Sequence, residues 1–425
     1  MNSFNLIKLD DLVKRVKVGF VGSINDFYCE EEYGVPLIRT TDLNELGINY
    51  TNLKFVTKEF HKKNKKSQIK KGDVLIARHG DNGKANVFKE DFDAQVLNAV
   101  IIEPNQDLLD SNLIKIFFDS PFIKKQILGV IKGSVQGVIN TSHIANLLVP
   151  LSKEIDYKHV SKIITSLDSK IELNNGINTE LESMAKTLYD YWFLQFDFPD
   201  KDGKPFKTSG GKMVWNEELK RDIPDGWNVD ILKNHISIER GISYKGTDIK
   251  DKGIPMVNLN SFYLDGRYKD EGIKYFAGSV NENKVIHTGD LMIATTDVTR
   301  NAYIIGKSFI LPDLYSGQIV ASCDIAKVNI GDKLDKYFLD MLFNSDNYHR
   351  YIKGFASGTL VLHLDTKGVD WYKCLIPPKD LLNKYAKFKL NIDAKKTLTL
   401  KENKQLAQLR DWLLPMLMNG QVKVM

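Results

Sequence analysis

Between Ile155 and Phe196 the chain reads IDYKHVSKIITSLDSKIELNNGINTELESMAKTLYDYWFLQF, with no proline. Alternating steps of four and three residues from Val160 reach Ile164, Leu167, Ile171, Asn174, Asn178, Leu181, Ala185, Leu188 and Trp192, and eight of these ten positions are apolar. A narrow stripe kept this long is a coiled-coil seam; an ordinary surface helix carries a wider apolar face. A helix of ~38 residues is about 57 Å long and cannot bury its own stripe, so it needs a partner. The two asparagines weaken the seam but fix its register. Gly176 costs ~1 kcal/mol relative to alanine and marks either a kink or a tolerated residue. A long helix inside a single core is the competing reading, and the flanking sequence argues against it.

The flanks repeat. Gly34-Val-Pro-Leu-Ile matches Gly253-Ile-Pro-Met-Val, and Lys71-Gly-Asp-Val-Leu-Ile-Ala matches Thr288-Gly-Asp-Leu-Met-Ile-Ala. Leu148-Val-Pro matches the proline-terminated run at Leu375 and Ile376, and Leu167-Asp-Ser-Lys matches Ile392-Asp-Ala-Lys. Four anchors in one order, with drifting offsets, imply globule, long helix, globule, long helix. Val35–Arg39 and Val74–Arg78 are strand-like, and a helix is predicted at Asn112–Ile131. Prolines, glycines and charges mark an ordered linker over 196–227. The tail from Leu381 is helical again, with its clearest stripe at Leu406, Leu409, Leu413 and Leu417. Two long helices in one chain can pack antiparallel and supply the missing partner.

Composition narrows the function. Apolar residues make up 43% of 425 residues, which suits two or three globular domains. No apolar run is long enough to cross a membrane and MNSFNLIKLDD is no signal peptide, so a cytoplasmic protein is expected. Cys29, Cys323 and Cys374 are far apart, suit a reducing compartment and form no zinc spacing. The net charge of +5 permits nucleic-acid binding without requiring it. Phosphate-cradling, zinc-hydrolase and nucleophile-elbow motifs are missing; Gly80-Asp-Asn-Gly-Lys has glycines at the wrong spacing for a P-loop. No catalytic residues and no metal site are expected. A duplicated globule without a catalytic set fits a bivalent binder.

Candidate DNA contacts follow from the repeat. Lys54, Lys58, Lys62, Lys63, Lys65, Lys66, Lys70 and Lys71 face only Glu59 before Asp73, either as a solvated surface or along a phosphate backbone. Lys62, Lys63, Lys65 and Lys66 are its densest part. After the repeated strand come Arg78, His79, Asn82 and Lys84 in the first copy and Thr295, Thr296, Asp297 and Arg300 in the second. Arginine, asparagine and lysine suit base edges in the major groove, and the same loops also read as plain surface turns. Ser134 and Gln136 on one glycine-rich turn pair with Ser357 and Thr359 on another. Arg39, Thr40 and Thr41 follow one Gly-x-Pro strand, Asn258 and Asn260 the other; Tyr244 and Lys245 complete the set.

Three segments resemble the DNA-specificity subunit of type I restriction–modification systems. They are Leu167-Asp-Ser-Lys-Ile-Glu-Leu-Asn174 through Leu181-Glu-Ser-Met-Ala185 to Tyr191-Trp-Phe193; Phe196-Asp-Phe-Pro199 with Gly203-Lys-Pro-Phe206, Ser209-Gly-Gly-Lys-Met213 and Ile223-Pro-Asp-Gly-Trp227; and Leu409-Arg-Asp-Trp-Leu-Leu-Pro415 with Leu417-Met-Asn-Gly420. The resemblance implies an α+β chain with a pseudo-twofold repeat, its two target-recognition globules separated by two long antiparallel helices. The expected parts are target-recognition domain 1–150, spacer helix 151–197, linker 198–227, target-recognition domain 228–378 and spacer helix 379–425. Each globule would read half of a split site in double-stranded DNA. The helices, through a seam of Ile164, Leu167, Ile171, Leu181, Leu188, Trp192, Leu406, Leu409 and Leu413, would hold two methylating subunits. Those subunits carry S-adenosylmethionine and modify adenine; restriction and translocase subunits use ATP and Mg. No cofactor belongs to this chain. A reader fused to a cryptic methyltransferase or nuclease, and a purely helical scaffold, are the alternatives.

Overall fold

The repeated Gly-Asp segment builds the same turn and strand twice. Gly72 and Gly289 adopt φ of 92° and 85°, a left-handed conformation that glycine enters without a Cβ penalty. The aspartate that follows closes the turn: Asp73 accepts the Lys70 N–H at 2.9 Å and Asp290 accepts the His287 N–H at 2.8 Å. The strands Val74–Ala77 and Leu291–Ala294 follow, every residue buried. Alternation sends Val74 and Ile76 into one core and Leu75 and Ala77 into another; Leu291 and Ile293 part from Met292 and Ala294 in the same way. A continuous apolar run is what a strand covered on both faces requires.

A computed structural model describes residues 4–44, 47–50, 53–80, 82–132, 137–299, 301–418 and 421. The chain divides into two units, Met1–Leu173 with Asn403–Met425, and Asn174–Glu402. In the first, an antiparallel four-stranded sheet runs in the order Ala85–Val87, Val74–Ala77, Ala99–Pro104, Val13–Val18. A five-stranded sheet runs Tyr28–Cys29, Lys54–Thr57, Gly34–Arg39, Ala94–Leu97, Gln68–Ile69, and its Gly34–Arg39 and Ala94–Leu97 strands are parallel. Asn5–Lys8 pairs with Leu148–Leu151.

The second unit has the same strand orders. Its four-stranded sheet is Ile236–Arg240, Ile325–Ile330, Leu291–Ala294, Ser308–Ile310. Its five-stranded sheet is Ile249–Lys250, Lys274–Phe276, Ile254–Val257, Ile319–Ala321, Val285–Ile286, again with one parallel pairing, Ile254–Val257 with Ile319–Ala321. Asn228–Ile231 pairs with Lys373–Ile376. The internal repeat is therefore a repeat of topology.

The single helix predicted at 112–131 is two, Ser111–Asp119 and Pro121–Lys132. Proline cannot continue a helix but suits the first turn of the next, which sets the break at Ser120. The 196–227 stretch folds around aromatic rings: Phe198 stacks on Phe206 and Trp227 at 4.7 and 5.3 Å, and the Arg221 guanidinium lies 4.6 Å over Phe196. Asp197 accepts both the backbone and the hydroxyl of Thr208, at 2.8 and 2.7 Å, and Met213–Asn216 pairs with Arg221–Pro224.

The first long helix spans Tyr157–Tyr189 and ends in a π turn, Asp190–Leu194; the second spans Lys379–Met418. Within the second unit they run antiparallel. The Asn174 amide donates to Glu402 at 2.8 Å, Thr399 Oγ1 donates to Asn178 at 2.6 Å, Lys396 pairs with Glu182, and the Tyr385 hydroxyl donates to the Ala185 carbonyl at 3.2 Å. In the first unit Arg410 meets Asp168 at 3.0 Å, and Val160 and Ile164 share a core with Leu414, Leu417 and Met418. Along the first helix Ile164, Ile171, Asn174 and Asn178 are buried, and Leu167, Leu181, Leu188 and Trp192 are partly buried. On the second, Leu406 and Leu413 are partly buried, but Leu409 is 41% exposed and leaves the seam. Its neighbour Arg410, held by Asp168, faces the first helix instead, because an ion pair there outweighs the apolar pattern.

Lys389 is only 2% exposed. Its ammonium lies 2.7 Å from Asp393, 3.7 Å from Asp340 and 3.9 Å from Glu182. Burial opposes its charge, but Asp393 and Asp340 outweigh burial and hold its pKa above the usual lysine value. Burial pushes the Asp340 carboxyl up to about 6, against the pull of Lys389. Removing the lysine strands acidic groups in a dry site, which costs ~3–5 kcal/mol. Lys389→Met should lower the denaturant midpoint of the second unit accordingly, and Lys389→Arg much less; equal stability of Lys389→Met and wild type in urea titrations would remove the ion cluster from the account of this seam.

Candidate nucleic-acid interface

In the first unit the parallel strands Gly34–Arg39 and Ala94–Leu97 end at one edge of the five-stranded sheet, and a cleft of about 720 Å³ opens there. Arg39, Thr40, Thr41, Leu43, Ala77, His79, Gly80, Leu97 and Asn98 line it. Two candidate segments that are separate in sequence, 39–41 and 78–80, thus meet. Thr40 Oγ1 donates to the Asn98 carbonyl at 2.6 Å, and Asn98 turns the chain with φ of 56°. His79 is exposed at the rim. Asn98 was missed by the sequence reading; a lone asparagine between two apolar strands is its only signal.

The arginines are already engaged. Arg39 forms a bidentate pair with Asp42, Nε to Oδ2 at 2.9 Å and Nη2 to Oδ1 at 2.7 Å, and that partner raises its pKa. Arg78 Nε donates to the Ile139 carbonyl at 2.9 Å and Nη2 to Asn140 at 3.3 Å. Asn82 donates to the Gly137 carbonyl at 2.7 Å. Arg78 and Asn82 therefore pin the 137–140 segment. Lys84 is half-buried.

Lys62, Lys63, Lys65 and Lys66 are exposed, on the Lys58–Lys63 helix and the turn after it. Thr57, which caps that helix by accepting the Phe60 N–H at 3.2 Å, is paired with Gly34. The lysines thus sit at the start of the Gly34–Arg39 strand and the cleft at its end, about 17 Å of strand apart. Ser134, Gln136 and Arg300 lie outside the described residues.

In the second unit four candidates, Asn258, Thr295, Thr296 and Asp297, are inside the protein. Asn258 is buried, donating to the Met256 and Gly272 carbonyls at 3.2 and 2.6 Å and accepting the Asn260 N–H at 3.0 Å. Thr295, Thr296 and Asp297 are buried too. Thr296 Oγ1 donates to Asp324 Oδ1 at 3.0 Å, and the Asp297 carboxylate gathers the N–H groups of Thr299, Ile304 and Ile305 at 2.6, 2.7 and 3.1 Å. These residues build the loop and offer nothing to a base, which corrects that expectation. Asn260, Lys245, Ser357 and Thr359 are exposed, and Tyr244 is half-buried with the Lys274 ammonium 6.0 Å from its ring.

The loop matching also shifts. The Ala77 N–H donates to the Lys84 carbonyl as the Ala294 N–H does to Lys307, and Gly83 and Gly306 return the bond to Ala77 and Ala294. Lys84 therefore corresponds to Lys307, beyond the second-copy candidates that end at Arg300. Five residues separate Ala77 from Gly83 and eleven separate Ala294 from Gly306, so the second loop is longer on the same frame. Among the described residues no three His, Cys, Asp or Glu side chains are placed to hold a metal ion, and no helix is long and apolar enough to cross a membrane.

The model of a family described as the type I restriction modification DNA specificity domain matches residues 3–183. A relative in Haemophilus influenzae, the type I restriction enzyme HindI specificity subunit, is 23% identical over 84% of this chain and 88% of its own. Another in Methanocaldococcus jannaschii, the type I restriction enzyme MjaIX specificity subunit, is 22% identical over 97% of this chain and 93% of its own. The solved structure of a type I restriction–modification S subunit from M. genitalium has the same fold: a TM-score of 0.53 at 14% identity, over 98% of this chain and 96% of that one. With its duplicated two-sheet fold, the chain is thus similar over most of its length to type I restriction–modification specificity subunits, and residues 3–183 match the DNA specificity domain itself.

Proposed function

We propose that this chain is the DNA-specificity subunit of a type I restriction–modification complex, that it reads a two-part site in double-stranded DNA, and that it scaffolds the subunits that methylate adenine N6 and cut. The observation that carries the reading is one strand topology built twice with loops of different length at equivalent places. Constant scaffold and variable loop is how a binding protein changes its target without changing its fold. Catalysis belongs to the partners: S-adenosylmethionine to two methylating subunits, ATP and Mg to the restriction and translocase subunits, all acting on DNA in the cytoplasm. A cryptic methyltransferase or nuclease fused to a reader has no support, because relatives named specificity subunits span 84–97% of the chain.

Residues 1–150 and 228–378 are the proposed readers, with 151–197 and 379–425 as spacer helices. Replacing 1–150 by the equivalent part of a relative should change one half of the methylated site and leave the other. Mapping methyladenine in genomic DNA checks this, and a change in both halves would show that the two parts do not read independently.

The lysines and Arg78 should behave differently. Replacing Lys62, Lys63, Lys65 and Lys66 by alanine in the assembled methylating complex should weaken cognate and random DNA alike and flatten the salt dependence by about 0.9 units of slope per lost phosphate contact. Arg78, tied to Ile139 and Asn140, acts through the loop it holds. Arg78→Ala should cost about 1–3 kcal/mol on cognate DNA and relax the first half-site, and Arg78→Lys should not restore it. Full recovery in the lysine variant would assign Arg78 to simple charge.

A further inference from the structure

The second unit carries a short hairpin whose tip is apolar and fully outward. Its strands, Ala356–Ser357 and Leu362–Leu364, pair with each other, and the latter also pairs with Thr296–Asp297. The base is fixed: Leu364 is buried in the core and its N–H donates to the Thr295 carbonyl at 2.9 Å. The turn is tight. Gly358 has φ of 134°, and a Cβ there would lie 2.0 Å from the Val361 carbonyl oxygen, so only glycine fits. At the tip Leu360 is 86% exposed and Val361 39%; Val298, which the register carries alongside Val361, is 60% exposed. Three apolar side chains held in water on a rigid three-stranded support call for an occupant.

The surroundings select a polyanion. Arg240 donates to the Leu364 carbonyl at 3.5 Å, Lys353 lies 5.9 Å from the Tyr303 ring, and His363, Ser357 and Lys367 are exposed beside the hairpin. The exposed carboxylate of Asp365 is turned to its own helix, accepting the Lys367 N–H at 3.0 Å. A narrow apolar point flanked by cations does not match an apolar protein surface. It does match the major groove, where the thymine C5-methyl is the one apolar group displayed on the base edges.

We propose that the Thr359-Leu360-Val361 tip enters the major groove and that Leu360 packs on a thymine methyl group in the half-site read by residues 228–378. This deepens the DNA-specificity reading above and rests on it. The test uses the complex with its methylating subunits and the site found by methylation mapping. Each thymine of that half-site is replaced in turn by deoxyuridine, which removes only the methyl. One replacement should weaken wild-type binding about fourfold, the value of one buried methyl. Leu360→Ala should bind the thymine and uracil duplexes equally, with the other half-site unaffected. Because Leu360 makes no core contact, thermal unfolding of the variant should match wild type. A wild-type complex indifferent to every replacement, or a Leu360→Ala variant that keeps the same sensitivity, overturns the proposal. Failure of the underlying reading is distinguishable: wild-type complex would then not separate the mapped site from random DNA.

Discussion

A stripe of apolar residues that its own helix cannot bury sets the terms for this molecule. The second long helix answers it, but through polar contacts as much as apolar ones. Asn174 with Glu402, Asn178 with Thr399, Glu182 with Lys396 and Asp168 with Arg410 each satisfy a group that would be costly to bury alone. An all-leucine seam tolerates sliding by a heptad; this one does not. A slip in the second unit would carry Lys389, with Asp393 on its own helix, away from Asp340 and Glu182, inside a site where an unpaired charge costs several kcal/mol. The seam trades some stability for a single register.

The same trade explains which helix was legible in the sequence. The first keeps eight apolar residues at ten seam positions, so its pattern is visible. The second fills its inner face with Lys389, Lys396, Thr399 and Arg410, which in a one-dimensional reading look like solvent positions. The apparent stripe there ran through Leu409, which is exposed. Hydrophobic periodicity finds a helix whose own inner face is apolar and loses one whose inner face carries charges that its neighbours pair.

The globules were legible where backbone geometry demands particular residues. Gly-Asp before an apolar run marks a left-handed turn closed by a carboxylate, and it appears at Gly72 and Gly289 with the same bonds. The loops were less legible, because building a turn and touching a base use the same residues. Short polar side chains satisfy nearby N–H and C=O groups. Asn258, Thr296 and Asp297 spend their hydrogen-bonding capacity that way, and Arg39, Arg78 and Asn82 spend theirs on Asp42, Ile139 and Gly137. Their types suit recognition; their partners show that they hold the loops in shape.

This division of labour bears on how such a chain changes what it reads. In both units the turn, the buried strand and the return bond from Gly83 or Gly306 are kept, while five residues lie between in one copy and eleven in the other. A glycine at that return point has φ of 87° or 71° and lets the chain re-enter the sheet whatever happened outside. Loop closure grows only slowly more costly with length, by about 0.6 kcal/mol per doubling, so an insertion between fixed ends threatens the frame little. Side chains in the loop interior then face two demands, pinning the loop and meeting the ligand. The residues nearest the strand ends, Arg78, Thr295, Thr296 and Asp297, take the first, leaving the second to positions farther out. Loop residues whose types no scaffold contact constrains are also the positions that sequence patterns describe least, which is why the frame was legible and the loop interiors were not.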